Sequence, residues 1–162
     1  MKKCVFSGTF DPPTRGHIEI IDKCLKIFDE VVVAVMVNPD KAPLLTSEER
    51  ASLLKKLYKA CPAVKVRTFG GAAVDLLAEE KTPFYVRGVR NTLDFEYENA
   101  NHFASKKLSD NIITIYIPAE QDSLHISSSA VRTSLKFKKD FKDYIPDEIL
   151  EDLIEILEKK NV

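Results

Sequence analysis

Seven consecutive residues, Val31-Val32-Val33-Ala34-Val35-Met36-Val37, carry no polar side chain. A strand with one wet face alternates apolar and polar residues. A run without alternation suits a strand covered on both faces, as in parallel sheets with helices above and below. Shorter runs at residues 3–6, 64–68, 84–86 and 112–117 repeat the theme and predict four more strands.

Between the runs the apolar period changes to that of a helix. Ile18, Ile21, Leu25 and Phe28 fall on one face, and Leu53, Leu54, Leu57 and Tyr58 on another. The second follows Thr46 and Glu49, spaced as a capping box in which each side chain satisfies the other's backbone N–H. Residues 74–80 predict a short third helix, and Leu93, Tyr97, Ala100 and Ala104 mark a fourth. Pro146, Asp147 and Glu148 open a last helix, with proline and acids where a helix start favours them; its face is Ile149, Leu150, Leu153, Ile154 and Leu157. Strands alternating with helices predict an α/β chain: a Rossmann-like, doubly wound, five-stranded parallel sheet with helices on both faces and C-terminal helices. At 162 residues, without a linker, repeat or low-complexity tract, the expectation is one domain over 1–162.

Composition narrows the setting. An apolar fraction of 44% and a charged fraction of 30% are ordinary for a globular domain, and a net charge of −1 gives no global pull toward nucleic acid or membrane. Cys4, Cys24 and Cys61 sit at neither metal-ligand nor redox-pair spacing, which predicts reduced thiols and a cytoplasmic protein. No apolar run reaches membrane-spanning length, and the run before Gly8 is too short for a signal peptide.

In doubly wound sheets ligands bind beyond the carboxyl ends of the strands, and the unusual segments lie there. After the first strand comes Ser7-Gly8-Thr9-Phe10-Asp11-Pro12-Pro13-Thr14-Arg15-Gly16-His17. It is neither a dinucleotide fingerprint nor a Walker loop. Gly8 permits close backbone approach, Thr9 supplies a hydroxyl, and Gly16-His17 puts an imidazole where free helix N–H groups point outward. A plain turn with a helix-entry histidine explains this stretch equally well by itself. After the second strand Lys41 stands between Pro39 and Pro43; alone it reads as a solvated loop lysine. After the fourth come Arg87-Gly88-Val89-Arg90 and then Asp94 and Glu98, one helical turn apart. Two arginines three apart at a strand end suit a polyphosphate better than a core. After the fifth, Ser127-Ser128-Ser129 precede a helical pattern; one serine would cap it, and three offer an anion site. Four such loops on one sheet edge are hard to explain structurally. His102 and His125 lack partners at ligand spacing, and residues 136–142 read as a lysine-rich surface anchored by Phe137 and Phe141.

These motifs carry a resemblance over nearly the whole chain. Gly8-Thr9-Phe10-Asp11-Pro12-Pro13-Thr14-Arg15-Gly16-His17 resembles the first signature of the nucleotidylyltransferase superfamily, and Ile126-Ser127-Ser128-Ser129-Ala130-Val131-Arg132 its second. With Lys41 and the run from Arg87 through Glu98, the pattern is similar to the phosphopantetheine adenylyltransferases of bacteria. The resemblance implies transfer of an adenylyl group from ATP to 4′-phosphopantetheine, giving dephospho-CoA and pyrophosphate, with Mg2+, by in-line attack of the acceptor phosphate on the α-phosphorus. A phosphate oxygen is already a competent nucleophile, so positioning and charge stabilisation suffice.

Carried over by position, the resemblance makes His17 the transition-state stabiliser and Thr9 the group orienting the two reacting phosphates. It counts Lys41 and Arg90 with them as catalytic. It puts Lys41, Arg87, Ala73 and Thr9 on the acceptor side. It assigns ATP to Thr9, Phe10, His17, Gly88, Val89, Arg90, Glu98, Ser123, Leu124, His125, Ile126, Ser127, Ser128 and Ser129, and it assigns no metal ligand. It further implies a homohexamer and raises feedback binding of coenzyme A. Three places depart from the family pattern: Ser7 stands where proline is usual, Ala72 and Ala73 replace larger apolar residues, and residues 121–125 lack an aromatic. Two other readings stay open. One is a related adenylyl- or cytidylyltransferase acting on nicotinamide mononucleotide or glycerol phosphate; the other is a nucleotide-sensing module without turnover.

Overall fold

Both faces of the apolar run are covered. In a computed structural model, described for residues 1–38 and 42–162, Val31 to Val35 are all buried. The described residues form β1 (Lys3–Gly8), α1 (Arg15–Leu25), β2 (Glu30–Met36), α2 (Ser47–Leu57), β3 (Val64–Phe69), α3 (Ala73–Glu80), β4 (Phe84–Val89), α4 (Thr92–Lys106), β5 (Ile113–Pro118), α5 (Ser128–Lys136) and α6 (Asp147–Lys159). The strands pair in the order β3-β2-β1-β4-β5, every pair parallel, so the predicted doubly wound sheet is present.

Alternation along each strand divides the core. Val31, Val33 and Val35 pack with Cys4, Phe6, Ile20, Ile21, Cys24 and Leu54, which seats α1 and α2 on one face. Val32 and Ala34 pack with Val5, Leu76 and Leu77, which seats α3 on the other. Each buried valine, leucine, isoleucine or phenylalanine among them contributes about 1.5–3 kcal/mol relative to exposure. A third cluster joins Leu45, Leu53, Val131, Ile145, Ile149, Leu153 and Leu157, tying α6 to α2 and α5. The Thr46 capping box forms as predicted: Thr46 N–H donates to Glu49 at 2.8 Å, and Glu49 N–H to Thr46 Oγ1 at 3.1 Å. Of the two expected anchors in the lysine-rich stretch, Phe141 packs on the third cluster, whereas Phe137 is exposed beside Lys136.

The fourth helix forms where its period predicts, but its orientation is unusual. None of its residues is buried, and Leu93, Tyr97 and Phe103 face solvent. The face toward the sheet is polar: Glu98 meets Arg87, Asn99 meets Tyr116, and His102 meets Thr114. Arg87, rising from β4, selects that face, since turning Leu93 and Tyr97 inward would strand a part-buried arginine without its carboxylate. The strand order reverses between β1 and β4, so a crevice opens there, above their carboxyl ends.

Candidate active site

The crevice between the carboxyl ends of β1 and β4 is a cavity of about 310 Å³. The loop after β1 forms its floor. Phe10 adopts a left-handed backbone (φ 52°) that folds its ring back under the loop, 5.6 Å from Phe6 and 4.8 Å from His17 between ring centroids. The ring is buried, so Phe10 can meet a ligand only through its backbone, while the ring supports His17. Gly8 leaves room for this ring, since a Cβ there would lie 3.1 Å from it and press it aside. Gly88 lets α1 pack closely on β4, where a Cβ would crowd the Ile20 side chain at 3.0 Å.

Asp11 pins the loop. Its two carboxylate oxygens accept the N–H groups of Leu44 and Leu45, both at 2.8 Å, and its carbonyl accepts Arg132 Nη1 at 2.7 Å. The Asp11–Pro12 bond is cis. Buried Arg50 reaches across from α2 and donates to the carbonyls of Thr9 (2.7 Å) and Met36 (3.2 Å), closing the ends of β1 and β2.

His17 occupies the place that glutamate takes in a capping box. Its Nδ1 accepts the N–H of the N-cap residue Thr14 at 3.0 Å, with Thr14 Oγ1 also at 3.0 Å. A ring nitrogen that accepts a backbone N–H carries no proton, so the neutral imidazole is the Nε2–H tautomer. Burial, together with the positive charges of Arg90 and Arg87, pushes its pKa down to about 4. His17 is therefore a fixed neutral donor on the cavity wall near pH 7.

Each of the three serines has a separate job. Ser127 caps α5 by accepting Ala130 N–H at 3.1 Å, Ser128 ties the helix to Pro12 carbonyl at 2.7 Å, and Ser129 accepts Arg132 Nη2 at 3.0 Å. The first turns of α1 and α5 thus converge on one cavity, and neither carries an acidic residue. Two helix N-termini with free N–H groups make an anion site.

Thr9, Phe10, His17, Arg87, Gly88, Val89, Arg90, Glu98, Ser123, Ile126, Ser127, Ser128 and Ser129 all line this cavity. Leu124 and His125 do not: both are exposed, and His125 packs against Tyr144 with ring centroids 5.7 Å apart. Lys41 lies outside the described residues. Ala73 lines a second cavity of about 250 Å³ on the α3–α4 face, with Tyr85, Arg87, Glu98 and His102. Sequence reasoning gave no role to Arg132 or Thr14, which also line the first cavity. Arg132 sits three residues beyond Ser129, one helical turn into α5, and that spacing could have found it.

The carboxylates near the cavity are engaged. Glu98 forks onto Arg87, with Nε to Oε2 at 2.7 Å, and Asp94 accepts Arg90 Nε at 2.9 Å and Arg90 N–H at 3.1 Å. Among the described residues no three His, Cys, Asp or Glu side chains gather as a metal cage. The arrangement can bind a polyphosphate and stabilise charge on it; among the described residues the cavity lining offers no activated serine or cysteine for covalent catalysis.

A family model described as cytidylyltransferase-like matches residues 5–134. The phosphopantetheine adenylyltransferase of Clostridium kluyveri is 38% identical over 159 residues, covering 98% of this chain and 97% of that protein. The enzyme of the same name from Nautilia profundicola is 40% identical over 151 residues, covering 93% and 98%. A structure from Vibrio parahaemolyticus, provisionally assigned as a nicotinate-nucleotide adenylyltransferase, superposes with a TM-score of 0.69 over 95% of this chain and 99% of that one. At 22% identity it speaks to the fold alone.

Proposed function

The chain belongs to the cytidylyltransferase-like family and, within it, to the phosphopantetheine adenylyltransferases, and we propose that His17, Thr9, Arg90 and Arg87 carry its chemistry. The reaction transfers the adenylyl group of ATP to 4′-phosphopantetheine, giving dephospho-CoA and pyrophosphate, in coenzyme A biosynthesis. Residues 1–162 act as one nucleotidylyltransferase domain.

The observation that supports these roles best is the Thr14 N–H bond to His17 Nδ1, which commits Nε2–H to the cavity. ATP lies in the first cavity, its β- and γ-phosphates against the first turn of α5 and Arg90. The phosphate of the acceptor enters from the second cavity, past Ala73, and meets Arg87 and Thr9; Lys41 assists it. An acceptor oxygen attacks the α-phosphorus in line, the bond to the bridging oxygen breaks, and pyrophosphate leaves with that electron pair. His17 donates to an α-phosphate oxygen as negative charge grows there, an interaction that gains strength in the transition state. Because His17 is neutral, it donates without giving up its proton. Mg2+ entering with ATP would supply further charge neutralisation on the triphosphate, beside Arg90 and the first turn of α5. Coenzyme A contains both product halves and competes for the two cavities. The protein works as a homohexamer in the cytoplasm, a setting that suits its three free thiols.

The test is pyrophosphate release from purified protein offered ATP with 4′-phosphopantetheine, ATP with nicotinamide mononucleotide, and CTP with glycerol phosphate. Release with the first pair alone is expected. Release with only the second or third overturns the substrate assignment, and tight ATP binding without product from any pair favours a sensing module.

A further inference from the structure

The two cavities share two lining residues, Arg87 and Glu98, so this ion pair is the partition between them. Its side chains are only 21% and 11% exposed, which leaves the pair weakly screened. A guanidinium has five N–H donors in a fixed fork. Glu98 takes one edge of Arg87 with both carboxylate oxygens, through Nε and Nη2. Nη1 is turned the other way and donates to Ser7 carbonyl at 2.7 Å and to Ser7 Oγ at 3.2 Å. The buried Ser7 hydroxyl shares a further hydrogen bond of 2.5 Å with Tyr85 Oη. The Tyr85 ring lies 5.6 Å from the guanidinium carbon.

An incoming phosphate that forks onto Arg87 has to take the edge Glu98 holds, because the other edge is committed to β1. While that exchange happens, the contacts at Nη1 alone fix the guanidinium. Alternation along the strands makes the arrangement possible: Ser7 on β1 and Tyr85 and Arg87 on β4 all face the α3–α4 side, whereas Phe6, Val86 and Gly88 face α1.

We propose that Ser7 and Tyr85 are positioning residues for the acceptor phosphate: they hold the Nη1 edge of Arg87 so that its opposite edge can exchange Glu98 for that phosphate. The inference rests on the adenylyltransferase reading given above. Removing a hydrogen bond to a charged group costs roughly tenfold in affinity. Ser7→Ala and Tyr85→Phe are each expected to raise KM for 4′-phosphopantetheine by about 5–20-fold, with KM for ATP and the melting temperature near those of the wild type. Ser7→Thr, which keeps the hydroxyl, restores the acceptor KM. The double variant behaves like either single variant, because both act on the same edge of Arg87. Calorimetry supplies a second readout: the wild type binds 4′-phosphopantetheine more tightly than pantetheine, and both variants lose that preference while binding pantetheine normally.

Wild-type turnover of ATP with 4′-phosphopantetheine checks the underlying reading first, and its absence overturns that reading and this inference together. With turnover present, an unchanged acceptor KM in folded variants, or equal rises for both substrates, overturns the inference alone. Tyr85→Phe keeps the aromatic ring and so decides the matter should Ser7→Ala unfold.

Discussion

A histidine beside two arginines looks like a third cation, but His17 is placed to be the opposite. Burial, the charges of Arg90 and Arg87, and the Thr14 N–H bond at Nδ1 all oppose a second proton on that ring. In the unliganded protein, an NMR titration of the His17 ring is expected to show a midpoint near 4, well below the ordinary histidine range. Saturating ATP moves the midpoint up, because a polyanion stabilises the imidazolium, and Arg90→Ala moves it up for want of a repelling charge. A midpoint in the ordinary range for the free protein contradicts the neutral-donor role. The same displacement bears on stability. Between the ordinary range and about 4 the unfolded chain binds the extra proton and the folded chain does not, so His17 makes stability fall as pH falls through that window. His17→Ala should lower kcat by about 10²–10³ while KM for ATP stays within about threefold, because the donor acts mainly in the transition state. A large loss of ATP affinity in that variant argues instead for a ground-state contact.

Elements that announce themselves by periodicity were legible in the sequence. The unbroken apolar run of β2 specified a strand covered on both faces, and the loops after β1, β4 and β5 drew attention because their residues suit neither core nor simple turn. Long-range polar pairing was not legible, since nothing local marks it. Asp11 reads as part of a turn, yet it accepts two N–H groups from Leu44 and Leu45, more than thirty residues away. Leu93 and Tyr97 have the spacing of a packed face, but the ion pairs of Arg87 and Arg90 turn the opposite face of α4 inward. Ser7 appeared only as a missing proline, and its bond to Tyr85 joins residues 78 apart. Asp11 gives an element-scale prediction. Asp11→Ala leaves the buried N–H of Leu45 without an acceptor and unties the loop from α2, at a cost of about 2–4 kcal/mol. Urea unfolding measures it, and a change below about 0.5 kcal/mol means water replaces the carboxylate without loss.

Across the whole molecule, α4 is the element whose placement the single chain explains least. None of its 15 residues is fully buried, and it is held to the sheet mainly by ion pairs and hydrogen bonds. The desolvation cost of a part-buried ion pair offsets much of its Coulombic gain, so polar docking alone is a weak hold for four turns of helix. Leu93 and Tyr97 are 75% and 68% exposed, and Phe103 is 59% exposed on the same helix. Beside it β5 is an edge strand whose Ile113 is half exposed. An apolar surface of this kind is what the proposed homohexamer would cover, since burial in a second copy supplies the hydrophobic contact that the chain's own core does not. The site depends on this helix, because Glu98 and Asp94 ride on it and orient Arg87 and Arg90. Covering its outer face would therefore steady the phosphate-binding arginines. The wild type is expected to sediment at six times the mass of one chain. Leu93→Lys with Tyr97→Lys should dissociate it, leave the β-sheet circular dichroism intact, and raise KM for both substrates together, in contrast to the acceptor-selective effect at Ser7. A wild type that sediments as a single chain removes the basis for assembly through α4, and an unchanged mass in the double variant places the contact elsewhere on the surface.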